Sequence, residues 1–197
     1  MEYRHSLKTD LDMADWYDFK YLEMGDGWNT PEEECNKHLD NLGVTLDKSK
    51  LLMDVGCGAG HFLEQATKRC QCVGIELSRV GIRYALARAP LATFICRSVC
   101  DLYSFSTLSS YADYIVSMGS IEHIIDLASA LETIRYMLKP TGKWYFYVPN
   151  EKWIHEDQPN ERTMSDEAWS GLFTSHGLTI HRVIPYGDNT AFIGGRK

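Results

Sequence analysis

Apolar and polar positions along the chain follow two periods. From residue 50 onward, short apolar runs are separated by stretches whose apolar residues recur every three to four positions. The runs Leu51-Leu52-Met53-Asp54-Val55, Cys72-Val73-Gly74-Ile75, Thr93-Phe94-Ile95-Cys96, Tyr114-Ile115-Val116-Ser117-Met118 and Trp144-Tyr145-Phe146-Tyr147-Val148 read as five buried strands. Residues 60–69, 79–88 and 126–138 between them read as helices; in the last, Leu127, Leu131, Ile134 and Leu138 share one face and Pro140 follows. Residues 165–176 predict a further helix stopped by Gly177. Residues 178–184 and 191–193 predict two last strands joined by the turn Tyr186-Gly187-Asp188-Asn189. Strands alternating with helices argue for an α/β protein with a parallel sheet covered on both faces, and the terminal strand-turn-strand for an antiparallel hairpin at one edge.

The N-terminal quarter patterns differently. Residues 1–29 mix Trp16, Tyr17, Phe19, Tyr21 and Trp28 with Asp10, Asp12, Asp15 and Asp18, show weak helical character and end at Gly25-Asp26-Gly27. A helix is then predicted from Thr30, a capping residue followed by Pro31 and by Glu33 as the far side of a capping box. Cys35, Leu39 and Leu42 fall on one face of it, and Gly43 is its stop.

The length of 197 residues suits one domain, residues 1–197, with an N-terminal segment 1–49 and a core 50–197. The formal charge is −7, and it is uneven: residues 1–50 hold twelve acidic and six basic side chains, residues 51–197 fifteen and fourteen. Such a chain has no general affinity for a phosphate backbone, so no nucleic-acid partner is expected. No apolar stretch approaches the ~20 residues of a membrane helix, and Met1 to His5 carry no apolar signal-peptide core. Cys35, Cys57, Cys70, Cys72, Cys96 and Cys100 form no C-x-x-C pair and several lie in strand-like runs. They read as reduced, buried thiols of a cytoplasmic protein.

The chemistry is concentrated at the first strand-to-helix turn, Asp54-Val55-Gly56-Cys57-Gly58-Ala59-Gly60. Glycines there let the backbone turn sharply and approach a ligand, and the carboxyl ends of strands are where doubly wound sheets bind ligands. The dinucleotide fingerprint G-x-G-x-x-G requires a third glycine where His61 stands; a P-loop is excluded because no Gly-Lys-Ser/Thr follows. Twenty residues after Gly56 comes Glu76, a carboxylate placed to accept hydrogen bonds from both hydroxyls of a ribose. After the third strand, Ser98-Val99-Cys100-Asp101-Leu102 offers an acid for an adenine amino group.

Together with Leu138-Lys139-Pro140-Thr141-Gly142-Lys143, similar to an L-K-P-G-G turn, these features resemble the class I S-adenosylmethionine-dependent methyltransferases, closely over residues 50–150. The resemblance implies a Rossmann-like seven-stranded sheet of order 3-2-1-4-5-7-6 with strand 7 antiparallel, and a short N-terminal helical lid. It implies S-adenosyl-L-methionine as cofactor and S-adenosyl-L-homocysteine as product. Asp54, Gly56, Cys57, Gly58 and Gly60 would meet the methionine and ribose portion and Glu76 the ribose. Leu77, Cys100, Asp101 and Leu102 would surround the adenine.

The transfer end follows the fourth strand, at Met118-Gly119-Ser120-Ile121-Glu122-His123, which in this family lies beside the sulfonium. Methyl transfer from a sulfonium needs an in-line nucleophile, exclusion of water and sometimes a base. His123 is the candidate base and Glu122 the residue that orients it or holds substrate; the competing reading is that both cap the next helix. The Asn/Asp-Pro-Pro-Tyr of the adenine-N6 and glutamine-amide enzymes and the Pro-Cys of the cytosine-C5 enzymes are absent. The Glu-x-x-Glu-His metal site of small-RNA 2′-O-methyltransferases is broken at Gly119, so no metal is expected, although His155 remains a conceivable ligand. Acceptor-pocket candidates are Trp16, Tyr17, Tyr21 and Trp28, then Asn150, Trp153, His155, Glu156 and Asp157, then Ser120 and His123. His61, His176 and His181 have no partner visible in sequence.

The expected activity is methyl transfer to a small-molecule acceptor, with oxygen the favoured atom. An RNA or protein methyltransferase, a nicotinamide oxidoreductase and a non-catalytic cofactor-binding scaffold are the alternatives.

Overall fold

The computed structural model describes residues 7–26, 28–154 and 158–197. The N-terminal stretch read for a signal core, Gly27, and the pocket candidates His155, Glu156 and Asp157 lie outside the described residues.

The weakly helical N-terminus is a full helix, α1 (Asp10–Met24). Its capping box is closed by Thr9 and Asp12: the Thr9 hydroxyl accepts from the Asp12 N–H at 3.1 Å, and the Asp12 carboxylate accepts from the Thr9 N–H at 3.0 Å. The box expected at Thr30 is not made. Helix α2 (Glu32–Asn41) has Pro31 at its N-cap and no side-chain cap. Instead the Pro31 carbonyl receives the Cys35 N–H at 3.0 Å. Glu32, Glu33 and Glu34 place negative charge on the first turn, where the helix dipole favours it.

The core alternates as the pattern requires: β1 (Leu51–Val55), α3 (His61–Ala66), β2 (Gln71–Glu76), α4 (Arg79–Arg88), β3 (Thr93–Cys96), β4 (Ala112–Met118), α5 (Leu127–Met137), β5 (Leu138–Pro149), α6 (Asp166–Ser175), β6 (Leu178–Tyr186) and β7 (Asn189–Arg196). The sheet order is β3-β2-β1-β4-β5-β7-β6, with β7 antiparallel to both neighbours and the other pairings parallel. Two 3-10 helices, Leu102–Leu108 and Ile121–His123, were not predicted, since turns this short leave no periodic signal. The segment read as a turn before the fifth strand is part of β5 itself. Leu138 pairs with Ala112 and Lys143 with Tyr114, with a register shift between them where Pro140 can donate no hydrogen bond.

Each strand sends alternate side chains to two cores. In β5, Trp144, Phe146 and Val148 face α5 and α6, packing with Leu131, Trp169 and Phe173. Tyr145 faces the other way, into the core shared with Leu39 of α2 and Leu63 of α3. All six cysteines are free thiols. No helix among the described residues is long and apolar enough to cross a membrane.

Candidate functional site

A cavity of about 490 Å³ opens at the carboxyl ends of β1, β2, β3, β4 and β5, within the usual size of a small-molecule site, roughly 300–1,000 Å³. Its floor is the turn after β1. Gly56, Gly58 and Gly60 all have left-handed backbone, with φ of 73°, 53° and 81°. Each glycine also makes room for a different neighbour. A Cβ on Gly56 would sit 1.7 Å from the Ser120 hydroxyl, and one on Gly58 2.6 Å from the Tyr21 hydroxyl. One on Gly60 would press on Ala85 of α4 at 3.1 Å. Gly56, Cys57 and Gly58 line the cavity; Gly60 does not, and its place is in the α3–α4 contact.

Two buried carboxyls stand over this floor. Glu76, at the end of β2, accepts from the Gly58 N–H at 2.9 Å through Oε2 and from the Ser78 N–H at 2.7 Å through Oε1. These bonds aim the carboxylate at the cavity and leave lone pairs on both oxygens. Asp54 is 1% exposed, and its Oδ1 has no hydrogen-bond partner among the described residues. Burial, with the Glu76 charge nearby, pushes it up to about 8.

At the end of β3 the structure departs from the sequence expectation. The cavity is lined by Arg97, Ser98 and Val99, together with Leu77 from the end of β2, and not by Cys100, Asp101 or Leu102. Asp101 is exposed and caps the following 3-10 helix, accepting from the Ser104 N–H at 3.3 Å and its hydroxyl at 2.5 Å. The Cys100 thiol donates to the Asp126 carbonyl at 3.3 Å, and Leu102 is exposed. An Asp three residues before a Ser is a capping signal in its own right, and here it prevails.

At the far end, Met118, Glu122 and His123 line the cavity. His123 Nδ1 lies 3.1 Å from the Pro159 carbonyl, an acceptor only, so Nδ1 carries the proton and Nε2 presents a lone pair. Burial holds the imidazole down to about 4, with the Arg162 charge adding to the effect, so it is neutral at physiological pH. Glu122 Oε1 lies 3.8 Å from His123 Nε2, and its Oε2 has no hydrogen-bond partner among the described residues. Burial pushes this carboxyl up to about 8. The backbone beneath is fixed by Arg162, whose guanidinium donates to the carbonyls of Glu122, Ile124 and Ile125 at 3.0, 2.6 and 2.9 Å.

The roof is α1. Its Asp18 accepts from the Ser78 hydroxyl at 2.5 Å and the Val80 N–H at 3.0 Å, docking the helix on the first turn of α4. Tyr17, Tyr21 and Trp28 line the cavity, while Trp16 stacks on Trp28 from behind. Of the other acceptor candidates, Ser120 and Trp153 line it, whereas the Asn150 amide is taken up by Gly187 O and Thr190 Oγ1.

Sequence reasoning missed one wall. Glu34 and His38 of α2, Tyr147 of β5, Asn189 of β7 and Glu161 also line the cavity. His38 is 1% exposed; its Nδ1 meets the Tyr145 hydroxyl at 2.5 Å, its ring lies 4.8 Å from that of Tyr147, and its Nε2 is 3.7 Å from Glu34. A signal existed: His38 falls on the same helical face as Cys35 and Leu42.

Known proteins resemble this chain in sequence and in fold. The profile of the methyltransferase domain matches residues 28–185. The dTDP-3-amino-3,4,6-trideoxy-alpha-D-glucopyranose N,N-dimethyltransferase of Streptomyces venezuelae is 28% identical over 143 residues, 70% of this chain and 59% of that protein. The ubiquinone biosynthesis O-methyltransferase of Nitrobacter winogradskyi is 30% identical over 103 residues, 52% of this chain and 40% of that protein. The chain thus spans about half the length of these curated relatives. Among solved structures, the Burkholderia thailandensis 1,6-didemethyltoxoflavin-N1-methyltransferase, with 1,6-didemethyltoxoflavin and S-adenosylhomocysteine bound, shares the fold at a TM-score of 0.71 and 14% identity, covering 95% of this chain and 87% of that one. The profile match, with a sheet of order 3-2-1-4-5-7-6, a left-handed glycine floor and a buried carboxyl at the end of β2, places the chain in the methyltransferase-domain family, among the class I S-adenosylmethionine-dependent methyltransferases.

Proposed function

We propose that this chain transfers a methyl group from S-adenosylmethionine to a small molecule by in-line displacement. The observation that carries the reading is one cavity, roofed by α1, that runs from Glu76 and the glycine floor to Glu122 and His123. The bound cofactor would supply an electrophilic methyl group on a positively charged sulfur. Glu76 is the residue we assign to the ribose hydroxyls, with Leu77, Ser98 and Val99 flanking the base. Gly56, Cys57, Gly58 and the unpartnered Asp54 would take the amino-acid end, and Met118 would lie near the sulfur. The floor fits such a group because Asp54 Oδ1 lacks a partner among the described residues and the Gly58 N–H is already turned by Glu76.

The aromatic roof of Tyr17, Tyr21 and Trp28 supports a small acceptor, because such a cover would keep water and bulky chains from the site. The net charge of −7 supports a partner other than nucleic acid, and the six free thiols support a cytoplasmic setting. For an oxygen acceptor, the atom favoured by the sequence, the neutral His123 imidazole is the group suited to take the hydroxyl proton. The charge lining the cavity argues instead for nitrogen.

The test is calorimetry with S-adenosylmethionine, S-adenosylhomocysteine and NAD in parallel. Both sulfur compounds should bind, and Glu76→Ala should weaken them about tenfold to a hundredfold through lost charge-assisted hydrogen bonds. Binding of NAD alone would refute the reading.

A further inference from the structure

Carboxyls line the cavity along its whole length, with Asp10, Asp54 and Glu76 in addition to those at the transfer end, whereas its positive charge is confined to one place. Arg97 is the only lysine or arginine lining it among the described residues, and it stands at the nucleoside end beside Ser98. The opposite end is lined by Glu34, Glu122 and Glu161. Arg162, beneath that end, has its guanidinium turned onto backbone carbonyls. Lys37, one residue from His38, lies over the outer ring of Tyr186 at 4.8 Å and is not part of the lining.

Two further features point to a ligand at this end. Glu122 Oε2 belongs to a side chain that is 3% exposed and lines the cavity, and this atom has no hydrogen-bond partner among the described residues. A buried polar atom left this way carries a desolvation penalty that only a ligand or water relieves. The intervening surface is aromatic, from Tyr147, Trp153 and Tyr17, and aromatic faces attract cations. Ionised carboxyls and aromatic faces, with no lysine or arginine at this end among the described lining residues, disfavour an anionic group, since like charges at contact distance repel by several kcal/mol even at an effective dielectric of about 20.

We propose, on the basis of the methyltransferase reading above, that the acceptor is a small-molecule amine, bound as its ammonium form between Glu122, Glu34 and the aromatic faces. The ammonium gives one proton to the Glu122 carboxylate. The freed nitrogen lone pair then forms the C–N bond while the methyl carbon's bond to sulfur breaks, its electron pair remaining on sulfur. The product leaves as the methylated ammonium, and Glu122 returns its proton to solvent. Charge and atoms balance with S-adenosylmethionine as the only co-reactant. Burial holds Glu122 up to about 8, which makes its carboxylate a base matched to neutral pH once a cation stands beside it. His123, held down to about 4, is the weaker base of the two.

The experiment is calorimetric titration of the protein saturated with S-adenosylhomocysteine, using probes matched in shape and different in charge. These are benzylamine, benzyl alcohol and benzoate, and choline against 3,3-dimethylbutan-1-ol. Each ammonium probe should bind about tenfold tighter than its neutral counterpart, with benzoate weakest. Glu122→Gln should abolish that preference. Glu34→Gln, at a half-exposed helix position, should reduce it about threefold. Normal binding of S-adenosylhomocysteine with no preference for ammonium, including no binding of any probe, overturns the amine proposal alone. Failure of S-adenosylhomocysteine to bind overturns the cofactor reading and this proposal with it.

Discussion

Burial makes Asp54 and Glu122 of the ligand-free protein keep their protons to higher pH than ordinary carboxyls, with the Glu76 charge adding at Asp54 and the Glu161 charge at Glu122, and this gives the protein a measurable pH signature. Both are pushed up to about 8, whereas unfolded carboxyls titrate near 4. The folded state therefore binds more protons between those limits. Its stability is fully present below about pH 4 and is lost as pH rises toward 8. His123 acts oppositely in a lower window. Held down to about 4, it contributes stability above its ordinary pKa of about 6.5 and loses it as pH falls. Between pH 6.5 and 8 only the carboxyls of these three groups contribute, so the melting temperature should fall across that interval. Each carboxyl accounts for on the order of 1 kcal/mol per pH unit. Glu122→Gln should roughly halve the slope, and a flat melting profile from pH 6.5 to 8 would contradict the assignment. At this scale, what was legible in the sequence was whatever the backbone itself demands. Gly56 and Gly58 stand out because their left-handed φ excludes other residues, and Glu76 because it follows at a set spacing. Asp101 was misread because one residue carried two signals. His38 and Tyr147 went unseen because their environment is made by contacts such as His38–Tyr145, 107 residues apart.

The element most open to perturbation is α1. It buries only Met13 and Tyr21, and its first and third turns are tied to the rest by few polar contacts. Asp18 meets Ser78 and Val80, Tyr21 packs against the bare backbone of Gly58 and Gly81, and the Asn160 amide donates to the Leu7 carbonyl at 3.1 Å. A helix held this way belongs to the low-stability end of the molecule and opens before the sheet does. Asp18→Ala removes two hydrogen bonds to a carboxylate, a loss of roughly 2–4 kcal/mol at the docking contact. Amide exchange across residues 10–24 should accelerate by one to three orders of magnitude. Exchange in β1 and β4 should stay unchanged. Acceleration throughout the molecule would mean that α1 is integral to the fold. Element boundaries were legible where periodicity was long, as in α5 and α6, and were displaced where a chemical signal had a competitor. Thr30 and Glu33 form a capping-box pattern, yet Pro31 starts α2 one residue later. Conversely, Thr9 and Asp12 form the box that is made, using Asp where the usual pattern has Glu or Gln.

At the level of the whole molecule, sheet order followed from resemblance and from the terminal hairpin, both local in the chain. The cavity did not, because its floor, roof and walls come from α1, α2 and the ends of five strands that only the finished fold brings together. That origin has a thermodynamic consequence. A ligand in the cavity touches the glycine floor, α1 and the loops after β4 and β5 at once, so its binding energy should tighten elements that otherwise share few contacts. Saturation with S-adenosylhomocysteine at about 100 times its Kd stabilises the fold by about 2.7 kcal/mol. For a chain of this length that raises the melting temperature by about 5–10 °C. The same ligand should slow amide exchange in residues 10–24 more than in α6, which lies on the opposite face and does not line the cavity. In Asp18→Ala the thermal shift should shrink, because part of the binding energy is then used to re-dock α1. A thermal shift of full size with no added protection of α1 would show that the cofactor is held by the floor alone, and that α1 does not close over it.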